Sequence, residues 1–87
     1  MHEAGPIPIL FTRHAIRRLS ERNIRTEWVE RAIRDPDREI PDPTDPGLTR
    51  AYKRVPEANG RVLRVVYSAM AQGGVSVITA FFDHAAH

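Results

Sequence analysis

A run of prolines and aspartates divides this chain into two parts that follow different hydrophobic periods. Between Pro36 and Gly47 stand Pro41, Pro43 and Pro46, with Asp37, Asp42 and Asp45 among them. A helix cannot continue through that density of prolines. Asp35-Pro36 closes whatever helix precedes it, because a residue before proline is pushed out of the helical region. Upstream of the break, apolar residues recur at three- and four-residue spacing. Downstream they alternate or run together as they do in strands. The chain is therefore α+β with its helices first and its sheet after.

The upstream part opens with an irregular stretch holding Pro6 and Pro8, then Ile9-Leu10-Phe11, a short extended piece suited to a sheet edge. Thr12 can cap a helix over 13–22, with Ala15, Ile16 and Leu19 as its apolar stripe and Asn23 as its stop. Thr26 offers the next cap, and Glu27 and Glu30 suit the positive end of a second helix. Trp28, Val29, Ala32 and Ile33 form that helix's buried face. The two helices are expected to pack as a hairpin, followed by a mobile acidic, proline-rich loop over 36–47. Strands follow at 50–55, 61–68 and 75–82, joined by turns at Pro56–Gly60 and through Gln72-Gly73-Gly74. The expected fold is an N-terminal extended segment, a two-helix hairpin and a three-stranded antiparallel sheet, in the order β-α-α-β-β-β. One domain would span 1–87, with 1–8 and 84–87 flexible. Ile16, Leu19, Val29, Ile33, Leu63, Val65 and Ile78 are its expected core. Helices cover one sheet face and leave the other open.

Composition narrows the function classes. Eighty-seven residues, 41% hydrophobic and 28% charged, make one globular core. No apolar run approaches the roughly 20 residues of a membrane span. The first residues carry no basic segment leading into a long apolar one, so no secretory leader is expected. With no cysteine there is neither a disulfide framework nor a thiolate zinc site. A cytoplasmic location is expected. Charge is segregated: residues 1–34 sum to +3, 35–49 to −4, 50–64 to +4, and Asp83 adds −1, giving the net +2. Twelve of the thirteen basic residues are arginine, the side chain best suited to bidentate phosphate contacts, although a GC-rich genome produces the same bias.

Several short matches accumulate along the chain: Thr12-Arg13-His14-Ala15, Arg22-Asn23-Ile24, Asp35-Pro36, Tyr52-Lys53, Gly60-Arg61-Val62-Leu63-Arg64-Val65-Val66-Tyr67 and Val77-Ile78-Thr79-Ala80. With this layout, the chain from about Phe11 to Phe82 resembles the small bacterial domain family of unknown function DUF4258. More distantly it is similar to BrnT-type toxins and, through them, to the RelE/ParE superfamily of toxin–antitoxin proteins. That resemblance implies a RelE/BrnT-like fold, an antitoxin-like protein partner, and metal-independent endoribonuclease activity with no cofactor. One position departs from it. BrnT-like chains tend to carry an arginine just after the Ser/Thr-Ala of the last strand, where this chain has Phe81.

Metal-free RNA cleavage needs a base for the ribose 2′-hydroxyl, cations for the phosphate and an acid for the leaving oxygen, all converging on one phosphate. If Val55 faces Val62 across the hairpin, Lys53 faces Arg64, two cations best explained by an anion between them, and Arg50 lies near Tyr67. A one-residue slip dissolves that pairing. His14 sits in the first turn of a helix whose positive end disfavours protonation, as a base requires. His14, Lys53 and Arg64 are thus the candidate catalytic residues. Arg17, Arg18, Arg22, Arg50 and Arg61 are candidate RNA-binding cations, and Tyr52 and Tyr67 candidate stacking residues. Each has a plainer explanation: a helix-start histidine, a solvated arginine face, tyrosines that pack a sheet. Asp83, His84 and His87 lack a fixed third metal ligand, and no metal site is expected. Two functions remain open. One is a toxin-like endoribonuclease with RNA on its open cationic sheet face. The other is a non-catalytic protein- or RNA-binding module of the same fold, acting through a partner or self-association.

Overall fold

The computed structural model describes residues 7–85. Chain order is β1 (Ile9–Phe11), α1 (Arg13–Glu21), α2 (Thr26–Arg34), β2 (Arg38–Pro41), β3 (Thr49–Val55), a short 3-10 turn (Pro56–Ala58), β4 (Arg61–Ala69) and β5 (Val75–Phe82). Thr12 caps α1: its Oγ1 accepts the Ala15 N–H at 3.0 Å and donates to the Val77 carbonyl at 3.3 Å, so one hydroxyl starts the helix and ties it to β5. Asn23 ends the turn after α1 with a left-handed φ of 55°, a conformation asparagine tolerates. Arg25, rather than the expected Thr26, stands at the N-cap of α2 and makes no side-chain cap. Thr26 is the first helical residue.

The expected three-stranded antiparallel sheet is corrected to a five-stranded mixed sheet in the order β1-β5-β4-β3-β2. β1 pairs parallel to β5, from Ile9 opposite Val75 to Phe11 opposite Val77. β2 forms inside the segment read as a mobile loop, antiparallel to β3, from Arg38 opposite Tyr52 to Pro41 opposite Thr49. An edge strand can end in proline because one side of its backbone has no ladder to lose. The acidic residues that suggested a loop close this hairpin. Asp42 Oδ1 accepts the Thr44 N–H at 2.9 Å, the Thr44 hydroxyl at 2.7 Å and the Asp45 N–H at 3.0 Å. Its Oδ2 accepts from Arg50 Nε at 3.0 Å. Those hydrogen bonds, the Thr44 hydroxyl first, hold the Asp42 carboxyl well below the usual carboxylate range.

Both helices pack on one sheet face, α1 against β5 and α2 against β3 and β4. The core between them holds Ala15, Leu19, Val29, Ala32, Ile33, Val55, Leu63, Val65, Val77 and Ala80. Two residues expected inside are not. Ile16 is 46% exposed, one position round the helix from the Ala15/Leu19 stripe. Ile78 is half-buried because Val66 pairs with Thr79 and Tyr67 with Val77, which leaves Ile78 as the extra residue of a bulge. The segment before β1 is also anchored: the Pro8 carbonyl accepts the Val75 N–H at 2.9 Å, and the Ile7 carbonyl accepts from Arg34 at 3.1 Å. Residues 1–6, 86 and 87 lie outside the described part. Among the described residues no helix is long and apolar enough to cross a membrane.

Candidate functional site

The hairpin register decides which side chains share the open face. Val55 pairs with Arg61, not Val62, so Lys53 lies opposite Leu63 and Tyr52 opposite Arg64. The turn is one residue shorter than the spacing that placed Lys53 beside Arg64. Leu63 is fully buried under the helices, which puts Lys53 on the helix side of the sheet and Arg64 on the open side. Thr49, not Arg50, lies opposite Tyr67.

Lys53 reaches back to the end of α2. Its ammonium donates to Asp35 at 3.2 Å and Asp37 at 3.3 Å, and these contacts, Asp35 first, raise its pKa. Asp37 also accepts the Arg54 backbone N–H at 2.8 Å. That bond, more than Lys53, lowers its own pKa. The two aspartates around Pro36 thus staple the exit of α2 to β3.

On the open face a different pattern appears. The register places Arg38 of β2, Tyr52 of β3, Arg64 of β4 and Phe81 of β5 in one row across the sheet. The Arg38 guanidinium lies 4.4 Å from the Tyr52 ring centroid, and that of Arg64 lies 5.8 Å from Tyr52 and 4.8 Å from Phe81. Beyond Phe81, Arg22 from the end of α1 reaches the edge of β5. It donates to the Ala80 carbonyl at 2.9 Å and to Thr79 Oγ1 at 3.3 Å, and its guanidinium sits 5.8 Å from the Phe81 ring. The result is a ladder, Arg38–Tyr52–Arg64–Phe81–Arg22, in which cations and rings alternate at cation–π range. Tyr52 is only 5% exposed although no helix or strand among the described residues covers it, because the stems of long side chains lie over it.

Arg64 is held at the centre of this row. Its Nε donates to Asp83 Oδ2 at 3.0 Å and its Nη2 donates to the same oxygen, while Asp83 Oδ1 accepts the Ala85 N–H at 2.9 Å. Arg64 and Asp83 side chains are 21% and 10% exposed. Arg38, by contrast, is exposed, and no carboxylate lies within ion-pair distance of it among the described residues.

The remaining sequence candidates divide by surface. His14 is exposed on α1 and accepts from Arg18 Nε at 3.4 Å; Arg18 also pairs with Glu21 at 3.0 Å. His14, Arg18 and Arg22 follow one another at four-residue spacing on α1, a stripe that leads to the end of the ladder. Arg17 is exposed beside it. Arg50 lies on the open face, opposite Val66, and is bound to Asp42. Arg61 lies on the helix side, its guanidinium 4.0 Å from the Phe82 ring centroid, and Phe82 in turn meets Trp28 with ring centroids 6.3 Å apart. Tyr67 packs against the core and donates to Glu39 at 2.6 Å; burial first, then Glu39, push its pKa up to about 12. The geometry therefore brings Arg22, Tyr52 and Arg64 together. It separates Lys53, Arg61 and Tyr67 from them, and does not join His14, Lys53 and Arg64 at one point. Two ladder members, Arg38 and Phe81, were not candidates. Arg38 had one signal, its alternation with Ile40 between Pro36 and Pro41.

The family model of DUF4258, a domain of unknown function, matches residues 11–82. The chain belongs to this family. Every member of the ladder falls within the matched span of the DUF4258 domain, whereas Asp83 lies one residue beyond it. No curated protein and no solved structure matches the chain.

Proposed function

We propose that this DUF4258 domain is a non-catalytic RNA-binding module that lays a single strand across its open sheet face. The observation that carries the reading is the ladder from Arg38 to Arg22. A single strand presents phosphates and the π-faces of bases in alternation, and a surface that alternates guanidinium groups and rings matches both. Arg38 and Arg22 stand at the two ends with donors facing solvent, Phe81 offers a partly exposed ring between them, and the buried Tyr52 ring backs the Arg38 guanidinium, whose plane can itself stack on a base.

Binding is favoured over cleavage by the distribution of candidate groups. Metal-independent cleavage needs base, acid and cations on one phosphate. Lys53 is committed to Asp35 and Asp37 on the far side of the sheet, and the fork of Arg64 is filled by Asp83. The more distant likeness to BrnT and RelE/ParE toxins would add a protein partner that masks the same face, in a bacterial cytoplasm.

A fluorescein-labelled ten-nucleotide RNA titrated with the protein tests this. Saturable binding is expected, weakened several-fold by Arg38→Gln or Arg22→Gln, with the RNA intact after overnight incubation. Cleavage leaving 2′,3′-cyclic phosphate ends would favour the endoribonuclease instead. No binding would remove both RNA readings and leave a protein-binding module.

A further inference from the structure

At the sheet edge by Arg38 lies a groove of about 1000 Å³ that draws on both faces, lined by Arg31, Asp37 and Lys53 from the helix side and by Arg38, Tyr52, Arg54 and Val62 from the open side, with Pro56 and Ala85. It is at the upper end of the size range of small-ligand sites. Four of its lining residues are basic and one is acidic, and their hydrogen bonds show which remain available. Lys53 is taken by Asp35 and Asp37. Arg31 is taken by both oxygens of Glu57, at 3.0 and 2.8 Å. Asp37, the one carboxylate, is occupied by Lys53 and the Arg54 N–H. Among the described residues Arg54 spends only Nη1, on the Gly60 carbonyl. Arg38 makes a ring contact with Tyr52 and no hydrogen bond among the described residues.

The two guanidinium groups of the lining without a carboxylate partner among the described residues are therefore Arg38 and Arg54, and they share a face. Arg38 is directly opposite Tyr52, and Arg54 is two residues further along β3. Diagonal neighbours of this kind have backbones about 7–8 Å apart, a gap that two arginine side chains can close on a single anion. Between them the floor is apolar: Tyr52 and Val62 are both buried on this face without a helix over them, and Pro56 stands beside them.

We infer that this groove binds a nucleoside bearing a terminal phosphate, the phosphate monoester on Arg38 and Arg54 and the nucleoside beside the exposed Pro56 and Ala85. A monoester carries close to two negative charges at neutral pH and three free oxygens. It therefore suits two converging forks better than the single charge of an internal diester does. Arg38 and Tyr52 belong both to the ladder and to the lining of this groove. A strand crossing the sheet would thus place its end there. A strand end and a free nucleotide offer the same chemistry. Only the strand-end form rests on the open face being an RNA-binding surface.

The test compares three probes on the intact protein: a hexa-adenylate RNA with a 5′-phosphate, the same RNA with a 5′-hydroxyl, and adenosine 5′-monophosphate. The 5′-phosphorylated strand is expected to bind about fivefold to tenfold tighter than the hydroxyl strand. Arg54→Gln, which leaves the Arg38–Tyr52 contact intact, and Arg38→Gln should each remove that preference. Arg22→Gln, at the other end of the ladder, should weaken both strands equally. If both strands bind equally well and the mononucleotide does not bind, the groove inference is overturned while the RNA-binding face stands. If the mononucleotide binds in an Arg54-dependent way and neither strand binds, the groove stands with a free nucleotide as its ligand and the RNA-binding face falls. Binding of any probe that is indifferent to both Arg38→Gln and Arg54→Gln overturns the groove assignment.

Discussion

Replacing Asp83 with alanine should move stability and RNA binding in opposite directions, because one carboxylate both fixes and neutralises the central cation of the ladder. Asp83 accepts from two nitrogens of Arg64 and from the Ala85 N–H. Hydrogen bonds to charged groups contribute about 1.5–3 kcal/mol when removed. Arg64 keeps 21% exposure and can recover part of that from water, so a loss of about 2 kcal/mol is expected. For a domain of this length that lowers the melting temperature by roughly 8–16 °C. At the same time the freed guanidinium becomes available to a phosphate. The slope of log K against log salt should steepen by about 0.7, the contribution of one phosphate on a single strand. Glu21→Ala is the control. It removes an exposed partner of Arg18, with side chains 42% and 52% exposed, and should shift the melting temperature by no more than a few degrees. Thermal unfolding followed by circular dichroism reads the first effect, and anisotropy titrations at several salt concentrations read the second. A melting temperature for Asp83→Ala indistinguishable from that of Glu21→Ala would refute the role given to the Arg64–Asp83 pair. Unchanged stability together with an unchanged slope would place Arg64 outside the binding face.

Other expected outcomes concern the scaffold. Leu63→Ala, at a fully buried position, should cost about 2–5 kcal/mol, whereas Leu10→Ala, 53% exposed, should change stability by about 0.5 kcal/mol or less; urea unfolding compares them. Gly74 has φ +87°, and a Cβ there would lie 2.7 Å from the Pro8 carbonyl oxygen. Gly74→Ala should therefore loosen β1 from β5, seen as faster hydrogen exchange at Ile9–Phe11 than in the wild type. Acid should destabilise the fold in a defined window. Arg31 holds Glu57 down to about 2, and Asp37, Asp42 and Glu27 are also lowered. Carboxyls depressed in the folded state stabilise it fully above their unfolded values and lose that contribution as pH falls through their folded ones. The urea midpoint should thus be flat from pH 7 to about 5 and fall below about 4; a midpoint that rises on acidification would contradict these pairings.

The parts legible in the sequence were those with local causes. α1 was visible in Thr12 and the Ala15/Leu19 spacing, and β5 in the β-branched and aromatic residues that dominate Val75–Phe82. β1 was visible as an extended piece, but nothing local indicates that it lies parallel to β5, since that pairing joins the two ends of the chain. β2 was hidden because four residues, three of them Arg38, Glu39 and Pro41, resemble a loop until β3 is there to pair with. The hairpin register turned on a single residue of the Pro56–Gly60 turn, and that slip moved Lys53 to the opposite face from Arg64. The candidate site suffered accordingly. Phe81 was noticed only as the place where an arginine was missing, yet its ring links Arg64 to Arg22. Asp35 was read as a helix stop and Asp37 and Asp42 as loop charges, and each holds a cation of β3.

The salt dependence of binding to a short single-stranded RNA tests the central claim most directly. Arg22, Arg38 and Arg54 have donors free on or beside the open face, so on a 5′-phosphorylated strand three neutralised phosphate charges, two of them on the terminal monoester, at about 0.7 each predict a slope of log K against log salt near −2. Arg38→Gln should bring it to about −1.4. A slope of zero, or no binding at 20 mM salt, would mean that the Arg38–Tyr52–Arg64–Phe81–Arg22 row is sheet packing and not an RNA-binding surface.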